Sequence, residues 1–554
     1  MLKLSRAGSW VLSLILSGAV FTACGSDDGK KNEPGRLPQG GEGGENSGDA
    51  GKAGSAGSST AGSAGEPGAQ GGAGDTGGTS GTAAGGGSEP TAGGNDAGGS
   101  SGAGGEGPEQ PFSGLYIGVD GSDTAAGTEA APFETLAKAA SVAQPGDTIV
   151  FLDGTFPMSN QVVKIPAGVN VMAKNAGQAN ITSGTSAAVF ELEGDSHFSG
   201  LKVTDAQYVL RFAGGVAAQG TVTIENSSFF NCTQLCLGLT GSASAVVLGS
   251  EGEVLGNGGQ GFAIVSDTAT ISVSGGILRN YGSGAIFRGR GESSVSLSKV
   301  SFEGGTGPVL TLQNEAVGQL QDVKVAAASA MLFEQSNTSE LIVTGSDIAT
   351  SVTASNCFVV NDGKLLEIEG SKVHGCGTGV KSLLPQELRL SNSEFYDHSV
   401  GGADLSANGT RSVVIDGCKF YDSSLIGMRI GNGGTVLDLK MRDTSVDITS
   451  TANWHAIMLD GTNASTIDLG TLADPGGNTF LQRAASLSSA MRLQFQSVTI
   501  QAVGNTWTPS AQGANAQGKY VVSSGKVLED ATAANGINYV KPYTTAKIRL
   551  AEIP

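Results

Sequence analysis

Two stretches of the chain, "SEFYDHSVGGADL" at 393–405 and "CKFYDSSLIGMRI" at 418–430, carry nearly the same phrase 25 residues apart. The phrase belongs to a longer series. From residue 222 onward the segments "VTIENSSFFNCTQLCLGL", "ISVSGGILRNYGSGAIF", "LEIEGSKVHGCGTGVKSL", "LRLSNSEFYDHSVGGADL" and "VVIDGCKFYDSSLIGMRI" follow one plan. An alternating apolar strand ends in a tight polar pair such as Asp416-Gly417. A short strand follows, then a turn of Asn, Asp or Gly, then a third strand. Dense period-2 alternation with Gly/Asn/Asp punctuation and no sustained helical pattern predicts β-structure throughout. A unit of roughly 21–26 residues that can bury its apolar face only against its neighbours predicts a solenoid.

Aligning the units sorts their residues into columns. Phe229, Leu278, Phe302, Val373, Phe395 and Phe420 form an inward column. Two positions earlier stand Ser227, Gly276, Val300, Ser371, Ser393 and Cys418, small enough for a narrow corner. Two positions later come Asn231, Asn280, Gly304, Gly375, Asp397 and Asp422, expected to form a ladder of turn side chains that satisfies backbone groups. The expected fold is all-β: a right-handed parallel β-helix of about a dozen coils over 146–505. "APFETLAKAASVAQPGD" supplies an N-terminal capping helix. In it Leu136, Ala139, Ala140 and Ala143 share one face, and Pro145-Gly146 ends the helix. Residues 506–554, with Trp507, Pro509 and Tyr520, read as a C-terminal cap.

Ahead of the coils the composition changes twice. Residues 1–23 read as a lipoprotein signal peptide: Lys3 and Arg6, then the apolar run "WVLSLILSGAVF", too short for an ordinary span. The boundary "FTAC" resembles a bacterial lipobox, with Phe21 where Leu is usual, and the resemblance implies lipidation at Cys24. Gly25 and Ser26 follow rather than Asp, which by the enteric sorting pattern implies an outer-membrane lipoprotein facing the cell surface or the periplasm. Residues 24–111 are Gly, Ser, Ala and Thr with scattered acids, unable to bury enough surface to offset ordering entropy, and so predict a disordered tether. Gly-rich scaling gives such a tether an end-to-end distance on the order of 50 Å.

A net charge of -19 argues against nucleic acid as a partner. Six cysteines include Cys24, leaving an odd five: Cys232, Cys236, Cys357, Cys376 and Cys418. No pairing follows beyond the proximity of Cys232 and Cys236, and no second pair or nearby His completes a zinc site.

"LYIGVDGSDTAAGTEAAPFETLAKAASVAQPGDTIVFLDGTF" at 115–156 resembles the opening of an uncharacterised right-handed parallel β-helix family of the pectin lyase-like superfamily. The shared elements are a Tyr-initiated strand, a Gly-[Ser/Asn]-Asp turn and a Gly-Thr pair. A Pro-[Phe/Trp]-x-Thr-[Leu/Ile] helix start and a Pro-Gly-Asp-x-Ile strand complete them. The resemblance implies fold and location; the family is a domain of unknown function and implies no chemistry.

Residues flanking inward ones on a strand point outward. Six side chains therefore gather on one outer face: Lys372 and His374, Glu394 and Tyr396, Lys419 and Tyr421, continued by Ser445 and Asp447. Tyrosine offers a flat apolar ring with a polar tip, and Lys, His and Glu hold hydroxyls and carboxylates, so this face is the candidate glycan-binding site. On the catalytic alternative, a lyase would use Lys or Tyr to take a proton and His374 or a Tyr to protonate the leaving oxygen. The plainer alternative is cross-strand pairing at about 0.2–1 kcal/mol per pair. Lys381, Asp404 and Arg429 alternate in sign on a second face, which favours that plainer alternative.

Arg288 and Arg290 in "FRGRGE" are a weaker match to a lyase base. Asp120 and Asp123 in "GVDGSD" read as turn residues rather than ion ligands. No metal site and no cofactor are expected. Ca²⁺ would need a convergent acidic cluster that the alignment does not provide. The expectation is a monomeric, membrane-anchored surface lipoprotein that recognises a polysaccharide or cell-envelope partner. The alternatives are a polysaccharide lyase or glycoside hydrolase, and a structural or adhesive rod.

Overall fold

The computed structural model describes residues 114–508 with short internal gaps, together with the strands Val527–Leu528 and Lys547–Ala551. The signal peptide, Cys24 and the tether lie outside the described residues, as do Pro509 and Tyr520.

Each coil contributes one strand to each of three parallel sheets, of 18, 14 and 15 strands. Within a coil the longest strand comes first (Gln219–Glu225 is one), then a strand of about three residues (Lys419–Tyr421), then a third (Ile426–Ile430). We call these the long-strand, short-strand and third sheets. The alternation read in the sequence sets the faces: Lys419–Tyr421 is exposed, buried, half-buried, and Ile415, Cys418 and Phe420 are all buried. Neighbouring coils pair in strict register, with Lys372 opposite Glu394 and Glu394 opposite Lys419, while Val373, Phe395 and Phe420 stack inside. The two FYD phrases are therefore vertical neighbours, and the Phe395 and Phe420 rings lie 4.7 Å apart and 6° from parallel. Gly402 makes room for them, since a Cβ there would sit 2.5 Å from Phe420 Cδ1.

The small-residue column does more than save space. Ser393 Oγ accepts the Ser371 amide at 3.1 Å and donates to the Ser391 carbonyl at 2.8 Å; Ser371 Oγ accepts the Ser346 amide at 3.1 Å and donates to the Glu369 carbonyl at 2.8 Å. Thr444 repeats this toward Cys418. Each hydroxyl satisfies a buried N–H where the corner pulls it out of the sheet ladders, a group that costs about 1–3 kcal/mol if left unmade.

The turn column differs from expectation. Asn231, Asn280, Asp397 and Asp422 hold left-handed backbone, φ 48–56°, as do Gly304 and Gly375. These residue types are there because the corner needs positive φ, which Asn, Asp and Gly tolerate best. A side-chain rung survives at Asn231, whose amide donates to Asp205 at 3.2 Å.

The N-terminal end is closed as predicted. The helix Leu136–Val142 starts at Thr135, whose hydroxyl accepts from the Lys138 amide, and buries Leu136, Ala139 and Ala140; Ala143 is buried just beyond it. Asp123 accepts from the amides of Glu134 and Thr135 and from the Thr135 hydroxyl, so the "GVDGSD" turn secures the helix start. Among the described residues the short-strand sheet begins with Gly154–Pro157, paired on one side only. At the other end Thr506–Thr508 still continues that sheet, and Lys547–Ala551 adds a parallel strand to Ser497–Gln501.

Disulfides join Cys232 to Cys236 and Cys357 to Cys376. Cys418 is the buried free thiol, pushed up to about 11 by burial.

Candidate functional site

The six residues singled out from the sequence do share one outer face. Asp347, Lys372, Glu394, Lys419 and Ser445 form one outward column; Ala349, His374, Tyr396, Tyr421 and Asp447 form the next. Successive rungs lie one strand spacing apart, about 4.8 Å. Lys419 Nζ pairs with Glu394 Oε1 at 2.9 Å, and the Tyr421 hydroxyl donates to Glu394 Oε2 at 3.3 Å. His374 Nε2 lies 2.9 Å from Asp347 Oδ1. Among the described residues Lys372 Nζ closes no ion pair and Tyr396 Oη makes no hydrogen bond.

The rings depart from the expected platform. His374 stacks on Tyr396 at 4.7 Å and 5°, and Tyr396 on Tyr421 at 5.0 Å and 6°. Parallel in-register strands align like residues face to face, so the rings cover one another and present their polar edges outward. A sugar laid along this face meets a row of hydroxyl, imidazole, ammonium and carboxylate tips on a stiff stack.

Electrostatics favour fixed charge over proton transfer. The hydrogen bond from Lys419 lowers the Glu394 carboxyl against a smaller opposing effect of burial, with Tyr421 and Lys372 assisting, so Glu394 stays ionised. Burial, then the Glu394 charge, pushes the Tyr421 hydroxyl up to about 12. Burial, then Asp347, also raises Tyr396. Neither phenol is poised to lose a proton near neutral pH.

Beneath the row lies a residue that the sequence did not single out. His398 follows Asp397 at the corner, is 1% exposed, and makes no well-formed hydrogen bond through either ring nitrogen. Burial lowers it to about 4, with backbone groups of Cys376 and Val373 offsetting part of the effect.

The second charged face is also in register, Lys381 opposite Asp404 opposite Arg429, with Arg429 Nη1 3.9 Å from Asp404 Oδ1. Arg288 and Arg290 lie opposite Thr311 and Gln313 on the third sheet. Among the described residues no three His, Cys, Asp or Glu side chains gather as they would around a metal ion.

A concave site appears elsewhere, on the third sheet. Its outward column runs Glu191, Arg211, Gly238, Ile264 and Arg288, and Gly238 alone lacks a side chain. Beside it the chain bulges through a short 3₁₀ turn, Gly215–Ala217, with Val216 81% exposed. Together they line an open, shallow cavity of about 380 Å³. A second cavity of about 350 Å³ lies at the N-terminal end, between the start of the capping helix and Phe156–Met158.

Residues 119–286 match the family model described as a protein of unknown function, DUF1565. No curated protein matches the sequence. Among solved structures the chain is similar to the pectate lyase Pel9A, at 15% identity over 60% of this chain and 80% of that one, with a TM-score of 0.28. It is similar to a PL6 alginate lyase solved with a trisaccharide, at 12% identity over 75% and 92% of the two chains, TM-score 0.31. Tailspike protein 3 of bacteriophage CBA120 is similar at 12% identity over 76% and 66%, TM-score 0.33. The family model over residues 119–286 overlaps the stretch 115–156 whose resemblance was read from the sequence, and both point to the same family of unknown function.

Proposed function

We propose that the protein is a lipid-anchored surface protein whose β-helix recognises a polysaccharide, or a glycan of the cell envelope, without cleaving it. Lipidation at Cys24 and a tether over 24–111 would hold the body away from the membrane. One observation carries the recognition role: the row of polar edges on the short-strand face, repeated at rung spacing along a rigid stack. A polymer of sugar rings repeats on the same length scale and can register with it. Exposed Lys372 at one end, with no ion pair among the described residues, supplies a cation still available to a ligand hydroxyl or carboxylate. The pairing of Glu394 and the raised Tyr421 favour holding over catalysis.

The test incubates the full chain with a panel of acidic and neutral polysaccharides and follows co-sedimentation, reducing ends and the ultraviolet absorbance of unsaturated products. Co-sedimentation without new ends or absorbance is expected, and Lys372→Ala should weaken it. Absorbance that grows with time and vanishes in Tyr421→Phe would replace recognition with lyase chemistry. No response in any channel would leave a structural rod.

A further inference from the structure

We propose that the third-sheet cavity is a separate site for one neutral pyranose unit, seated over Gly238 between Tyr208, Ile264 and the Arg211–Glu191 pair. It shares no residue with the short-strand row and stands or falls independently of it.

The argument begins with Gly238. Its strand neighbours in the outward column are Arg211 and Ile264, and nothing crowds the position. A Cβ there would meet Arg211 Cβ at 3.7 Å and Tyr208 Cδ1 at 3.8 Å, ordinary contact distances, and the backbone is not left-handed. Packing does not require glycine at this position. Glycine inside a strand sacrifices stability, and it commonly marks a site where a ligand or another backbone comes close. Here its effect is a floor without a side chain.

The walls are built in advance. The Tyr208 ring stands beside the floor with its hydroxyl donating to Gln234 Oε1 at 2.7 Å. Opposite, the bulge is pinned by the Thr240 hydroxyl, which donates to the Gly215 carbonyl at 2.7 Å. Volume limits the occupant: about 380 Å³ is near the lower end of the ~300–1,000 Å³ typical of small-molecule sites, enough for one or two rings rather than a chain.

Chemistry then selects the class. An aromatic ring beside an aliphatic side chain suits the apolar face of a pyranose. Arg211 Nε and Nη2 both donate to Glu191 Oε2, at 2.9 and 2.6 Å. Nη1 remains for a ligand oxygen, and Oε1, 3.9 Å from Lys164 Nζ, remains for a ligand hydroxyl. A donor beside an acceptor matches vicinal hydroxyls, each of which donates and accepts. Because the guanidinium is already neutralised, and the chain carries -19 overall, an uncharged sugar fits better than a uronate.

The test is saturation-transfer-difference NMR on the full chain with methyl glucopyranoside, methyl galactopyranoside, methyl mannopyranoside and sodium glucuronate. Transfer to the ring protons of at least one neutral glycoside is expected. In Gly238→Leu, which fills the floor, the affinity should fall about tenfold or more while the melting temperature holds. Should Gly238→Leu fold poorly, Tyr208→Ala provides the same comparison. Absence of transfer to all four, transfer to glucuronate alone, or neutral binding that survives both variants would overturn the proposal.

Discussion

The short-strand row and the third-sheet cavity show what repetition does to a surface. In the row each rung repeats the plan of the last, so its side chains meet matched neighbours: ring on ring, and lysine on glutamate on lysine. Such a surface is stiff, and its groups are largely engaged with one another. At the cavity the copying lapses, with one missing side chain at Gly238 and a few extra residues at 213–217, and the lapse leaves a space. In this solenoid, repetition supplies stability and a departure from it supplies a concave site.

Perturbation can break or sharpen this contrast. Below the row, Phe420→Ala removes a fully buried ring stacked on Phe395, and a loss of about 3–5 kcal/mol is expected in denaturant melts. An equal result for Gly238→Leu at the cavity would erase the distinction. A smaller effect comes from His398. The unfolded imidazole takes its proton near 6.5 and the folded one near 4, so the unfolded state binds more protons between those values. Stability is therefore whole above pH 6.5 and falls as pH is lowered toward 4, by about 3 kcal/mol from this group. His398→Asn should flatten that window in a pH series of melts. The least effect belongs to the exposed pair: Lys419→Met should change stability by no more than about 1 kcal/mol, because solvent screens the 2.9 Å contact with Glu394. A larger loss would mean that the row is held together by charge rather than by its rings and core.

Much of this was legible in the sequence. The FYD phrases fixed the register, because a period of two assigns Phe395 and Phe420 inward and sends Glu394, Tyr396, Lys419 and Tyr421 out. The helix from Leu136 was legible from its apolar face and its Pro-Gly stop. The mutual covering of the His374, Tyr396 and Tyr421 rings was not, since it depends on rotamers that parallel register imposes. Nor was the work of Ser371 and Ser393, whose small size explained their place before their hydrogen bonds were visible. The cavity had a faint signal, the single glycine in an outward column otherwise filled by Glu191, Arg211, Ile264 and Arg288. Among 88 glycines it was easily passed over.

Among the described residues the first strand of the short-strand sheet, Gly154–Pro157, has a partner on one side only. The amides of Gly154 and Met158 point to the next coil, so the alternate positions, among them 157, face the other way. Proline there has no hydrogen to offer. A stack of parallel rungs is otherwise a template for end-to-end growth, and one imino acid in the first strand of this sheet removes a donor that such growth would use, beside the capping helix that covers the same end.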